Sequence, residues 1–333
     1  YSAIFFPFLV SIPTRNRSLW LTPTMSSQAR SETVWIYWKA KALQATQGPN
    51  SEAAQVLLKS IAQPVGFYEM LAHEELGRNL QFQPAPPIEP FEIAQAKENL
   101  GLQRALAAMA IGLRSEGIRE WNYTTNLHVK GGLKDAQLRA AAQLACEAQI
   151  WDRCINTSDK TKTIMDWAQR YPMPSLNAVA SRSQAIGLDT AFAYGIMRQE
   201  SRFISVARSG VGATGLMQVM PATAKWTAKK IGMTDYNPSQ LSDPTVNIAL
   251  GTSYLQLVLN DFDGHPAMAS AAYNAGPGNV RKWRDGPDLE GAVWVENIPF
   301  YETRDYVKKV LSNTVVYAGL MSGQAQSLKA KLT

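Results

Sequence analysis

Between residues 32 and 170 apolar side chains recur at helical spacing and nowhere alternate as a strand requires. That pattern leaves an all-helical arrangement for the first half of the chain. Trp35, Trp38, Ala42 and Ala45 fall at spacings of three and four, which puts them on one face of a helix over 32–45. Gly48-Pro49-Asn50-Ser51 ends that helix and caps the next, over 52–62. A third spans 67–76 and stops at Gly77, and Pro84-Ala-Pro-Pro87 is a linker. Helical patterns follow over 91–100, 102–115, 117–126 and 133–149. Short helices joined by Gly/Pro turns, with Ala and Leu at the contacts, predict stacked helical hairpins that bury one another's faces.

Tyr171-Pro-Met-Pro-Ser175 marks a boundary. It divides the chain into an unassigned segment 1–30, a helical array 31–170 and a second domain 171–333. Beyond it Asp189 is placed to cap a helix that ends at Glu200. Pro221 suits the first turn of a helix to Lys230, Asp243-Pro244 opens one to Leu259, and Pro266 opens one to Tyr273. Pro299 opens the last, to Leu320. Residues 203–220 lack the helical period and are rich in Gly, Val and Ser, which fits a loop or small hairpin. The expected fold is mainly α with a minor β element.

Apolar residues make up 46% of the 333, enough for packed cores. The formal charge of +6 is spread along the chain, and basic runs such as Lys229-Lys230 and Lys308-Lys309 are short. This balance suits an anionic polymer or surface and argues against nucleic acid. No stretch reaches the length of a membrane span. The apolar run at 4–10 is broken by proline and lacks the flanks of a signal peptide, and the chain, whose first residue is Tyr1, reads as a fragment or a partial gene model. Cys146 and Cys154 are eight residues apart. On one continuous helix their Cα atoms would stand roughly 12 Å apart, too far to bridge without a turn. Two small buried thiols are therefore expected.

Glu200 is the leading chemical candidate. Unsatisfied carbonyls at a helix C-terminus and apolar neighbours both disfavour its charged form, the condition a general acid needs near neutral pH. Gly210, Gly212 and Gly215 in the following loop permit close approach of backbone to a ligand, while Gln218 adds an amide and Met217 and Met220 adaptable apolar surface. Tyr273 and Asn274 precede Gly276 and Gly278, which suit a helix C-cap. Glu302 falls in the first turn of the last helix, where the dipole favours an ionised carboxylate. His73, His128 and His265 are scattered, no Gly-Lys-Ser/Thr follows the glycine-rich loop, and no triad surrounds Ser201. No metal or cofactor is expected.

The segments Gln199-Glu200-Ser201, Ser209 with Gly212-Ala213, Gly215-Leu-Met-Gln-Val-Met-Pro221, Ala272-Tyr-Asn-Ala-Gly276 and Ile298-Pro-Phe300 through Glu302-Thr-Arg304 occur in one order. Together they resemble the soluble lytic transglycosylases of the goose-lysozyme-like superfamily, glycoside hydrolase family 23. Trp35-Ile-Tyr-Trp38, Phe67-Tyr68 and Leu76-Gly77 are similar to the α-superhelix that precedes the catalytic domain in that family. The resemblance implies a lysozyme-like α+β catalytic domain over 171–333. It implies cleavage of the MurNAc-β-1,4-GlcNAc bond of peptidoglycan with 1,6-anhydro ends, Glu200 acting as acid and then base. Ser201, Ser209, Gln218, Met220, Tyr273, Asn274 and Glu302 would line the substrate site. It implies a periplasmic protein that engages glycan strands, with further wall proteins reached through the helical region. A hydrolytic muramidase using the same Glu and a non-catalytic wall-binding scaffold are the alternatives.

Overall fold

In the computed structural model, which describes residues 25–332, helix starts follow the capping residues. The apolar run at 4–10 lies outside the described residues. After α1 (Thr33–Gln47), Ser51 accepts a hydrogen bond from the Ala54 amide and opens α2 (Glu52–Ile61). Next come α3 (Phe67–Glu75) and α4 (Pro90–Glu98). Asn99 accepts from two amides at the start of α5 (Leu100–Ala110), and α6 (Arg114–Asn122) runs into a π turn at Tyr123–Leu127. Then follow α7 (Asp135–Glu147) and α8 (Trp151–Ser158).

In the second half α9 spans Leu176–Ile186, and Asp189 caps α10 (Thr190–Glu200). Pro221 opens α11 (Pro221–Lys230), and Asp243 caps α12 (Pro244–Asp261) at two amides. α13 (Pro266–Ala275), α14 (Pro277–Arg284), α15 (Gly291–Glu296) and α16 (Tyr301–Ser322) complete the series. Between α10 and α11, β structure amounts to two antiparallel bridges, Arg208 with Thr214 and Thr214 with Val219.

Three expectations need correction. The two cysteines form a disulfide. α7 stops at Glu147, Gln149 takes a φ of 56°, and α8 starts back in a new direction. The Cα atoms of Cys146 and Cys154 are thereby 5.0 Å apart, within bridging range. Gly276 does cap α13, with a φ of 85°, but Gly278 lies inside α14, because Pro277 begins a new helix at once. Met217 is buried in the core, not part of an adaptable surface.

The described side chains pack into two hydrophobic cores. The smaller gathers Ala96, Leu102, Ala105, Trp121, Ala140 and Leu144 from α4 to α7. The larger joins α1 to α3, through Tyr37, Leu58, Tyr68 and Leu71, to helices from α10 to α16. The strap between α3 and α4 crosses α16, where the Phe82 ring fills the space left open by Gly319. At the centre of the second half, α10 lies against α16. A Cβ on Gly195 would sit 2.4 Å from Thr314 Oγ1 and 3.0 Å from the Val310 carbonyl oxygen, so glycine sets how closely these helices approach. That contact brings the end of α10 beside the start of α16.

Candidate active site

Glu200 ends α10, so its backbone is at the negative end of the helix and its side chain turns toward α16 and α13. The last turn is pinned from its other side by Arg198. Its guanidinium donates to the Arg170 carbonyl at 3.1 Å and Asn313 Oδ1 at 3.2 Å, and stacks 4.4 Å from the centre of the buried Tyr171 ring. Tyr306, buried on α16, donates its hydroxyl to Glu200 Oε1 at 2.6 Å. Burial pushes the Glu200 carboxyl up to about 7; the Tyr306 hydrogen bond works against that, and the charge of Glu302 adds to it. The Tyr306 hydroxyl is itself held far above its ordinary value by burial and by Glu200, so it stays a donor.

Tyr273, on α13, is the second tyrosine of the site. Burial and then the Glu200 charge raise its hydroxyl well above the usual range. The hydroxyl donates to the Met217 carbonyl at 2.8 Å, which ties α13 to the glycine-rich loop. Behind it an aromatic run leads outward: Tyr254 lies 5.3 Å from Tyr273, and the half-exposed Trp226 stands edge-on at 6.2 Å from Tyr254. Asn274 Oδ1 accepts from Thr303 Oγ1 at 2.7 Å, joining the end of α13 to the first turn of α16. Glu302, in that turn, is exposed.

The loop 201–220 is held by its own polar groups. Ser201 is buried and donates to the Leu216 carbonyl at 2.7 Å. Ser209 accepts from the Ala213 amide at 3.0 Å. Gln218, at a φ of 45°, donates its side-chain amide to the Ala207 and Gly215 carbonyls at 3.1 and 2.8 Å. Met220 is exposed at the start of α11. In this structure Ser201 and Gln218 therefore direct their donors into the loop, while Met220 and Glu302 face solvent.

Two residues at this site escaped the sequence reading. Asn247, fully buried on α12, accepts from the Met217 amide at 2.9 Å and donates to the Thr214 and Leu241 carbonyls at 2.8 and 3.0 Å. Its amide packs where a Cβ on Gly215 would come within 2.4 Å, and Gly215 has a φ of 79°. An Asn in mid-helix looks in sequence like an ordinary polar position, and only the loop folding onto it reveals its work. Tyr306 lies four residues after Glu302, on the same helical face, and that spacing was the available signal.

Taken together, a carboxyl protonated to about pH 7 stands with Tyr306 and Tyr273 beside the loop 201–220, where the space at Gly215 that the sequence offered to a ligand is filled by the Asn247 amide. Such a carboxyl can donate a proton and, once ionised, accept one. No helix among the described residues is long and apolar enough to cross a membrane.

Residues 177–290 match the Transglycosylase SLT domain family, and residues 297–326 match the Soluble lytic transglycosylase helical domain. The chain is 35% identical over 319 residues to the soluble lytic murein transglycosylase of Salmonella typhimurium, covering 94% of this chain and 48% of that protein. It is 34% identical over 321 residues to its Escherichia coli K12 counterpart, covering 95% and 48%. The chain thus spans about half the length of the curated relatives it matches. An inactive variant of lytic transglycosylase Slt from Pseudomonas aeruginosa superposes with a TM-score of 0.80 at 36% identity, over 92% of this chain and 49% of that one. The 70 kDa soluble lytic transglycosylase of Escherichia coli superposes at 0.77 with 30% identity, over 93% and 49%. A complex of the 70 kDa soluble lytic transglycosylase with bulgecin A superposes with a TM-score of 0.75 at 30% identity, over 93% of this chain and 49% of that one.

Proposed function

We propose that the chain acts as a soluble lytic transglycosylase and cleaves the MurNAc-β-1,4-GlcNAc bond of peptidoglycan without water, a reading supported by its similarity to the Transglycosylase SLT domain family and to soluble lytic murein transglycosylases. The observation that carries this reading is the Glu200 carboxyl, kept protonated up to about pH 7 by its burial. With Oε1 taken by Tyr306, Oε2 is the oxygen left to carry the transferable proton. Glu200 donates it to the bridging oxygen, the muramyl C1–O bond breaks, and GlcNAc leaves with its new hydroxyl. The 2-acetamido oxygen stabilises the cationic C1. The Glu200 carboxylate, steadied by the Tyr306 hydroxyl, then takes the proton of the muramyl C6 hydroxyl as that oxygen bonds to C1. The product is a 1,6-anhydro ring, and Glu200 ends protonated as it began.

A single carboxyl suffices for this cycle, in contrast with glycosidases that divide acid and nucleophile or base between two. In this reading Tyr273, Asn274, Ser209 and Met220 face the glycan. Ser201 and Gln218 keep the loop amides aimed at it, and Glu302 at the rim holds the proton on Glu200. Residues 171–333 form the catalytic domain and 31–170 a helical array that offers surface to other wall proteins. The site of action is the periplasm.

The test is the product spectrum of peptidoglycan digested by the protein and by Glu200→Gln. Anhydro ends from the parent, and none from the variant, are expected. Reducing ends alone would make the protein a hydrolase. Solubilisation by Glu200→Gln would remove Glu200 from its role, and an inert parent would favour a wall-binding scaffold.

A further inference from the structure

Glu296 is 2% exposed, and the chemistry above makes no use of it. A carboxylate so deep persists only among cations and hydrogen-bond donors. Here the Tyr68 hydroxyl donates to Oε1, the Lys308 ammonium pairs with the same oxygen, and the Arg304 guanidinium stands 3.7 Å from Oε2. Lys308 also lies 5.1 Å from the centre of the Tyr68 ring. These partners come from three elements: Tyr68 from α3, Glu296 from the end of α15, and Arg304 and Lys308 from the first two turns of α16. Arg304 further donates to the Ile298 carbonyl at 3.1 and 3.0 Å, fastening α16 to the segment that leads into it.

At about 100° per residue, Arg304 and Lys308 share one side of α16, while Glu302 and Tyr306 share a nearly opposite one. The same two turns are gripped by Glu296 and present Tyr306 to Glu200. A slide or rotation of roughly 1 Å would carry the 2.6 Å Tyr306–Glu200 contact beyond hydrogen-bond range. We infer that Glu296, clasped by Tyr68 from the N-terminal helices, is a positioning residue that fixes the height and phase of α16 and so the hydrogen bond between Tyr306 and Glu200. The inference rests on the reading of Glu200 as the acid. It makes α3 a contributor to the site that it does not touch.

The groups facing Glu200 are Tyr306 and Glu302 from α16 and Tyr273 from α13. When Tyr306 drifts away, the carboxylate loses a donor while burial and Glu302 still oppose its charge. The basic limb of the activity profile then moves to higher pH. The experiment measures kcat and KM against pH on soluble glycan strands from peptidoglycan, for the full chain and for Tyr306→Phe, Tyr68→Phe and Glu296→Gln. Tyr306→Phe moves the limb up. Tyr68→Phe and Glu296→Gln move it the same way, and kcat at pH 6 drops about tenfold while KM stays within about twofold. Should Glu296→Gln fail to fold, Tyr68→Phe, which keeps the ring and removes one hydroxyl, decides alone. Folded Tyr68→Phe with the parent's limb and kcat, beside a displaced limb in Tyr306→Phe, overturns the positioning role. A limb that Tyr306→Phe leaves in place overturns the reading of Glu200 itself, and this one with it.

Discussion

Glu200→Gln measures what a buried, titratable carboxyl costs the fold. In the unfolded chain the Glu200 carboxyl ionises near its ordinary 4.5, while in the folded protein it keeps its proton to about 7. Between those values the native state binds more protons than the unfolded one, so stability falls as pH rises. At about 1.4 kcal/mol for each pH unit between the two values, the fully ionised native protein is about 3 kcal/mol less stable than it would be with an unperturbed carboxyl. By the same relation the cost is below about 1 kcal/mol at pH 5 and nearly complete at pH 8. Glutamine keeps the shape and an acceptor for the Tyr306 hydroxyl, but never ionises. Urea unfolding of parent and variant at pH 5 and pH 8 gives the comparison. The variant's advantage should grow by about 2 kcal/mol between the two pH values. A gap that stays the same at both would refute the argument that burial holds this proton.

Asn247→Ala removes two hydrogen bonds to the glycine-rich loop and one to the Leu241 carbonyl, and we expect a loss of about 2–4 kcal/mol in unfolding experiments, with activity falling further as the loop loosens. Gly195→Ala forces a methyl group against Thr314 and the Val310 carbonyl, and should cost about 1–3 kcal/mol and lower kcat by separating Tyr306 from Glu200. Replacing Cys146 and Cys154 together by serine opens a short loop whose closure is worth about 2–3 kcal/mol, readable as a lower melting temperature.

The helices were legible because their starts are written in single residues. Asp189, Asp243 and Ser51 offer a side-chain oxygen to orphan amides, and Pro221, Pro244 and Pro266 need no amide partner. Where such signals are weak, the reading failed. α8 and α9 start from Ile150 and Ser175 without side-chain caps, and both went unrecognised. The disulfide went the same way, since its geometry depends on a reversal at Gln149 that no glycine or proline announces.

The order of residues, by itself, determined the helical content, the place of Glu200 at a helix C-terminus and the glycines that let the loop 201–220 turn. These are local properties, fixed by torsions, caps and periodicity within a few residues. The tertiary structure alone decided which groups meet: Tyr306 against Glu200 across 106 positions, Asn247 under the loop across 30, and Tyr68 against Glu296 across 228. The proton affinity of a carboxyl depends on how much water is excluded around it and on which charges and donors stand within a few ångströms, and those are set by packing between helices remote in the chain.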